Sequence, residues 1–320
     1  VLIYLYTHIK FIEVFAKRRK AMEQEIKVAM IGLDTSHSVE FTKRLHNVDC
    51  PEGQVVNGVR VISCMRFLTP FQNEEGQDAR QLQLEEMGVK VTRSFEEAVR
   101  DCDAIMLEIN DASFHLEYFR KCAELGKPVF VDKPLADSIA NGREMIEIAR
   151  QHGLAFFSSS PLRYSSALVA ACARMPRPAA ATVWGPLGAA PAGSSIIWYG
   201  VHAFEMLHAA MGCGALTVKA DKDMRGGIFH VDYRDGRRGV VELTSNAYRY
   251  GGVLRNHQDD EAFFTVAPGA EFYARELEQV TKFFHGAPVP LSNEDMLEVM
   301  GMLDAAERSW QSGQRESVYC

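Results

Sequence analysis

From position 27 onward, short apolar runs alternate with stretches of helical period. The runs fall at 27–33, 60–67, 89–92, 104–109 and 128–131. Strand–helix alternation of this kind implies right-handed crossovers and a doubly wound parallel sheet. Helix ends carry their own signals: Ser94 with Glu97 reads as a capping box, Gly126 follows a helix over 113–125, and Asp137 precedes a helix that ends at Gly153. Beyond Gly153 the pattern changes. One more strand (154–158) and a helix from about Tyr164 lead to strands at 227–234 and 239–245, which flank the hairpin signal Asp235-Gly236. The segment 179–193, rich in Ala, Pro and Gly, reads as a loop-prone connection. Helices over 271–285 and 292–310 close the chain, the second opened by a Ser292/Asp295 capping box.

The expected fold class is therefore α/β. A Rossmann-type parallel sheet occupies 26–135, and an α+β domain with a mainly antiparallel sheet occupies 136–320. Residues 1–25 are expected to be an N-terminal extension, since Met22 stands just ahead of the first strand pattern. The segment 1–15 is apolar but short, and His8, Lys10 and Glu13 interrupt it, so a membrane span is not expected.

Composition narrows the function. With 47% hydrophobic and 24% charged residues the chain reads as an ordinary folded protein, neither disordered nor fibrous. The net charge of −7 and scattered basic residues argue against a nucleic-acid surface; the one basic cluster, 17–20, reads as a solvated helix face. Seven cysteines form no CxxC pair and stand mostly in apolar stretches, as free thiols do in a reducing compartment, so the cytoplasm is expected.

Candidate chemistry begins at the first strand–helix turn, Gly32-Leu33-Asp34-Thr35-Ser36-His37. A dinucleotide fingerprint would set glycines at 32, 34 and 37, and only Gly32 is kept. A carboxylate at 34, about 5 Å from a phosphate charge, would repel it by roughly 3 kcal/mol, on the order of a hundredfold in affinity. The alternative is that Asp34 caps the helix 37–46, while Thr35 and Ser36 offer hydroxyls and N–H groups at its anion-favouring start. Arg66, where an acidic ribose ligand would end the second strand, suits a 2′-phosphate or is a surface residue. Asp132-Lys133-Pro134 ends the fifth strand, where open α/β sheets bind ligands, and His202 opens an amphipathic helix after Trp198-Tyr199-Gly200.

In combination these segments resemble the glucose–fructose oxidoreductase, inositol dehydrogenase and rhizopine-catabolism (Gfo/Idh/MocA) family over roughly 26–318. Asp132-Lys133-Pro134-Leu135-Ala136 is similar to its EKPxA motif, Gly200-Val201-His202 to its Gly-x-His segment, and Ile109-Asn110-Asp111 with His115 to its Thr-Pro-Asn…His loop. Arg163-Tyr164 resembles its Arg-aromatic pair, and 288–295 its closing segment. The Gly-Leu-Asp-Thr-Ser-His loop resembles that of a distinct subgroup. The sequence departs from the family pattern at the glycine loop, at Trp198, where the family has an acid, and at the missing strand-two acid.

The resemblance implies a Rossmann domain with an open-faced C-terminal sheet, NAD or NADP as cofactor, a small-molecule substrate and a homo-oligomer, dimer or tetramer. Lys133 and His202 would be catalytic. Gly32, Asp34, Thr35, Ser36, His37, Arg66, Asn110 and Asp132 would line the cofactor cleft, with Arg163, Tyr164, Trp198 and Tyr199 toward substrate. His202 would serve as acid/base, Lys133 would polarise the same oxygen or act as base, and Glu205 would stand in as partner to His202. No metal is expected; a trio of Asp34, His37 and His202 matches no ligand spacing. Two functions follow: hydride transfer on a sugar-like or polyol substrate, or a degenerate relative that binds a small molecule or regulates.

Overall fold

The computed structural model describes residues 25–258, 260–269 and 271–318. The expected extension up to residue 24 and the basic cluster 17–20 lie outside these residues. The first sheet is parallel, built from β1 (Ile26–Ile31), β2 (Val59–Met65), β3 (Lys90–Thr92), β4 (Ala104–Leu107), β5 (Val129–Asp132) and β6 (Phe156–Ser159). Its order is β3-β2-β1-β4-β5-β6. Between the strands run α1 (His37–His46), α2 (Glu74–Glu86), α3 (Phe95–Val99), α4 (His115–Ala123) and α5 (Ile139–His152). Positions 28–31 and all of β4 are buried without alternation, because helices cover both faces of the sheet. The strand order reverses between β1 and β4, which opens a crevice at the carboxyl ends of the central strands. The sheet continues past position 135, since β6 forms its edge beside β5.

After a 3₁₀ turn (Pro161–Tyr164) come α6 (Ser166–Arg174), β7 (Ala180–Pro186), a π-helical turn (Ile196–Gly200) and α7 (Val201–Met211). Then follow β8 (Ala215–Lys222), β9 (Gly226–Tyr233), β10 (Arg238–Thr244), β11 (Gly251–Arg255), β12 (Glu261–Thr265), α8 (Glu271–Phe284), α9 (Asn293–Ser312) and β13 (Glu316–Ser317). The second sheet has the order β12-β11-β7-β10-β9-β8-β13, antiparallel except for the β7–β10 pair. The Asp235-Gly236 turn joins β9 to β10 as its sequence predicts, and the Ser292/Asp295 capping box opens α9.

Two expectations are corrected. Most of the first half of 179–193 is strand, not loop: β7 lies between β11 and β10, and ladder pairing on both sides overrides its weak strand propensity. The helix α7 is not amphipathic. Of its residues only Ala209 is not buried, because the sheet, α6 and α9 enclose it. Gly200 permits that depth; a Cβ there would lie 2.7 Å from Leu243 Cδ1. Among the described residues no helix covers the opposite face of the second sheet, which exposes Ile228 and Phe263.

Candidate active site

The site assembles where the carboxyl ends of β1, β4, β5 and β6 meet α7 and α8. Gly32 leaves β1 at φ +115°, and a Cβ on it would stand 2.2 Å from the Glu108 carbonyl oxygen, so the turn lies directly against the strand beside it. The first fingerprint glycine thus keeps its turn-making role.

Asp34 does not cap α1. Ser36 is the N-cap residue and makes no side-chain cap bond. The Asp34 carboxylate instead accepts the backbone N–H groups of Asn110 at 2.8 Å and Asp111 at 3.2 Å, and the Thr69 hydroxyl at 2.8 Å. It staples the β1 turn to the loops after β4 and β2. Burial raises its pKa, and the donors oppose that shift. Thr35 is buried beside it and Ser36 is exposed at the start of α1.

His37, in place of the third glycine, turns inward and meets Asp132 at 2.9 Å between Nδ1 and Oδ2. Its ring also lies 5.0 Å from those of Phe41 and Tyr273, the latter on α8. Burial pushes the Asp132 carboxyl up, but His37 and Lys133 outweigh it and bring it down to about 2. Between β1 and β5 stands Glu108, fully buried, with neither carboxylate oxygen hydrogen bonded. Burial, then the Asp132 charge, hold its proton well above the ordinary range. Glu276 of α8 is equally buried and takes the Ser159 hydroxyl at 2.9 Å.

Lys133, 4% exposed, stands among these groups: its charge acts on Asp132, Glu108, Glu276 and His202. His202, 6% exposed, sits with Nδ1 2.6 Å from Ser160 Oγ. Burial, then the charges of Lys133 and His37, drive its pKa well below the ordinary value, so the ring is neutral near pH 7. The ammonium of one domain and the imidazole of the other are thus both buried, and the charge of the first acts on the second.

Glu205 is not the partner of His202. It ion-pairs with Arg163, both side chains buried, and Arg163 also reaches His208 Nδ1 at 3.4 Å. Arg163 is thereby committed within the C-terminal domain, while Tyr164 stands with a buried hydroxyl, its pKa raised to about 12 mainly by burial. Trp198 spans the domains: its indole N–H donates to Asn110 Oδ1 at 2.8 Å, and its ring lies 5.4 Å from Phe71. These residues border a cavity of about 250 Å³ with Asp111, Ser113, Asp137 and Ser194. Tyr199 packs its ring edge-on 5.4 Å from His202 and shares a hydroxyl bond with Tyr250. His115 ties the β4 loop to the β5 loop through the carbonyls of Ile109 and Leu135.

Arg66 is not a surface residue. It is 4% exposed, and its guanidinium is held by Asp78 and Gln81 at 2.6 Å and Glu74 at 3.3 Å, all on α2. The trio Asp34, His37 and His202 is not assembled, because Asp34 and His202 are engaged elsewhere. Glu108, Glu276 and Ser160 escape the sequence reading. An acid in the otherwise apolar run 104–109 was the available signal for Glu108; Glu276 and Ser160 carried none.

Residues 26–160 match the family model of the Gfo/Idh/MocA oxidoreductases, an NAD-binding Rossmann fold. No curated protein matches the sequence. Among solved structures, the chain is similar to a probable dehydrogenase from Thermotoga maritima, with TM-score 0.76, 18% identity and coverage of 92% of this chain and 99% of the other. It is similar to myo-inositol dehydrogenase from Lactobacillus casei in complex with NAD(H) and myo-inositol, with TM-score 0.76, 13% identity and coverage of 93% and 98%. An oxidoreductase from Agrobacterium radiobacter in complex with NAD+, L-tartaric acid and magnesium gives 0.72, 12%, 92% and 99%. The chain has the two-sheet fold of these proteins. Among the described residues no helix is long and apolar enough to cross a membrane.

Proposed function

We propose that the chain is a Gfo/Idh/MocA oxidoreductase that uses NAD or NADP to oxidise a secondary alcohol of a sugar-like or polyol substrate, or to reduce the matching ketone. The observation that carries this reading is that Lys133 and His202, from different domains, are both buried and near enough for the ammonium charge to act on the imidazole. The turn fits the nucleotide in two respects: Gly32 keeps the tight bend, and the Asp34 carboxylate is drawn aside by three donors, leaving the exposed Ser36 and the start of α1 toward an anion. Gly32, Thr35, Ser36, His37, Asn110 and Asp132 would hold the cofactor, which when bound accepts or donates the hydride.

The chain's own part is proton handling. With Nδ1–H donated to Ser160 Oγ, His202 presents a lone pair at Nε2 to take the hydroxyl proton. Ser160 Oγ already accepts the Leu162 N–H at 3.2 Å, and its own proton can turn to Nδ1 instead, which supports the tautomer needed for reduction. Lys133 would stabilise negative charge on the same oxygen, a term that grows as water is excluded. Trp198, Tyr199 and Tyr164 would shape the substrate side. The sheet face that exposes Ile228 and Phe263 among the described residues supports a homo-oligomer. The free thiols at positions 50, 64, 102, 122, 172 and 213 support a cytoplasmic setting.

A second reading, a small-molecule-binding protein without hydride transfer, is favoured by the His37–Asp132 contact, which puts an imidazole where the fingerprint has its third glycine. Titration with NADH and NADPH, followed by melting temperature, separates the two: a rise supports the oxidoreductase, no change at millimolar nucleotide supports the second. With polyols and oxidised cofactor, Lys133→Ala and His202→Ala should each lose at least about a hundredfold in kcat with the fold retained by circular dichroism. Unchanged turnover in both refutes the site.

A further inference from the structure

We infer that His37, Glu108 and Asp132 form a buried binding site for one divalent transition-metal cation, Mn2+ or Zn2+ in class, at the carboxyl ends of the central strands. The inference departs from the expectation of no metal, and it holds whether or not hydride is transferred. One imidazole nitrogen and two carboxylates are ligands such ions take. The three ligand atoms all lie within 4.8 Å of one another, and His37 Nδ1 and Asp132 Oδ2 are 2.9 Å apart. A cation with bonds of about 2.0–2.2 Å bridges ligands at such separations after small side-chain rotations.

Glu108 supplies the independent observation. Its side chain is fully buried, and both carboxylate oxygens lack a hydrogen-bond partner. Buried acceptors without partners are rare in folded proteins, and an ion is among the few things that satisfy two at once. The surroundings are rich in carboxyl groups: Asp132, Glu276 and Asp34 all act on Glu108, against the Lys133 ammonium. A divalent cation fits that excess of acid.

A second trio, His208, Cys213 and Asp295, also has the spacing of a metal site. It is rejected on hydrogen bonding. Arg163 can only donate, and it meets His208 at Nδ1, so the ring's proton sits on Nε2, the atom that faces Cys213 and Asp295. The proton occupies the place a metal would need.

The test titrates chelator-treated protein separately with Mn2+ and with Zn2+ in a calorimeter. Expected are one site per chain, a melting temperature that rises with metal, affinity weakened at least tenfold in Glu108→Gln, and affinity unchanged in Cys213→Ser. Pulsed electron paramagnetic resonance of bound Mn2+ in the wild type should show a directly bound imidazole nitrogen, which keeps the test open if Glu108→Gln does not fold. No saturable binding up to millimolar metal, equal affinity in Glu108→Gln, loss of the site in Cys213→Ser, or oxygen ligands alone on Mn2+ would each overturn the inference. NADH titration of the same samples reads the hydride-transfer proposal separately.

Discussion

Arg163 and Glu205 show how far a single residue's role depends on what surrounds it. As a sequence pair, Arg163-Tyr164 points toward substrate, yet in the fold the guanidinium faces Glu205 and His208 inside the C-terminal domain. Arginine cannot shed its proton, so removing the opposing charge leaves an uncompensated buried cation. Glu205→Gln should therefore cost about 3–5 kcal/mol in urea unfolding. A cost below about 1 kcal/mol would mean that the pair is solvated. His208 adds a pH signature. Burial first, then the Arg163 charge, depress its pKa to about 3 from the ordinary 6.5. The unfolded chain thus binds a proton as pH falls through 6.5, while the folded chain does not until about pH 3, so stability drops with acid in that window by up to about 1.4 kcal/mol per pH unit from this residue. His208→Asn lacks that uptake. The stability gap between wild type and variant should shrink from pH 7 to pH 5, and a constant gap would show that His208 titrates alike in both states.

At the scale of elements, the turn from β1 into α1 was legible in part. Periodicity located the strand and the helix within a residue or two, because a strand covered on both faces reads as a continuous apolar run. The role of Asp34 was not legible, since its donors come from Thr69, Asn110 and Asp111, far along the chain. For the same reason β7 read as a connection: its strand character comes from neighbours on either side, not from its own residues. Lys133 and His202 were singled out from local motifs, whereas the contacts of Glu276 and Ser160 became visible only once α8 met the end of β6 and α7 met the turn after it. Restoring the glycine pattern tests the staple. Asp34→Gly removes a charged acceptor of three hydrogen bonds and should cost about 2–4 kcal/mol, because buried N–H groups are left unpaired. It should raise NADH affinity by less than tenfold, since the carboxylate is already turned aside; a gain near a hundredfold would restore the picture of direct repulsion.

At the scale of the whole molecule the two domains are joined by contacts that neither makes alone, and Trp198 is the point at which this can be measured. Its indole N–H meets Asn110 Oδ1 while its ring stacks toward Phe71 and Tyr199, so one side chain joins the β4 loop to the turn that precedes α7. A neutral hydrogen bond contributes about 0.5–1.5 kcal/mol net, equivalent to a factor of about 2–10 in the population of a state that lacks it. Trp198→Phe keeps an aromatic ring and removes only the donor. Amide exchange should accelerate by that factor in 110–113 and 194–199, while β4 and β10, buried in the two sheets, keep wild-type protection. If Trp198 instead served as core packing, its replacement would lower the melting temperature and raise exchange throughout the second sheet. The local pattern identifies a clasp between the domains, and the global pattern a cavity within one of them.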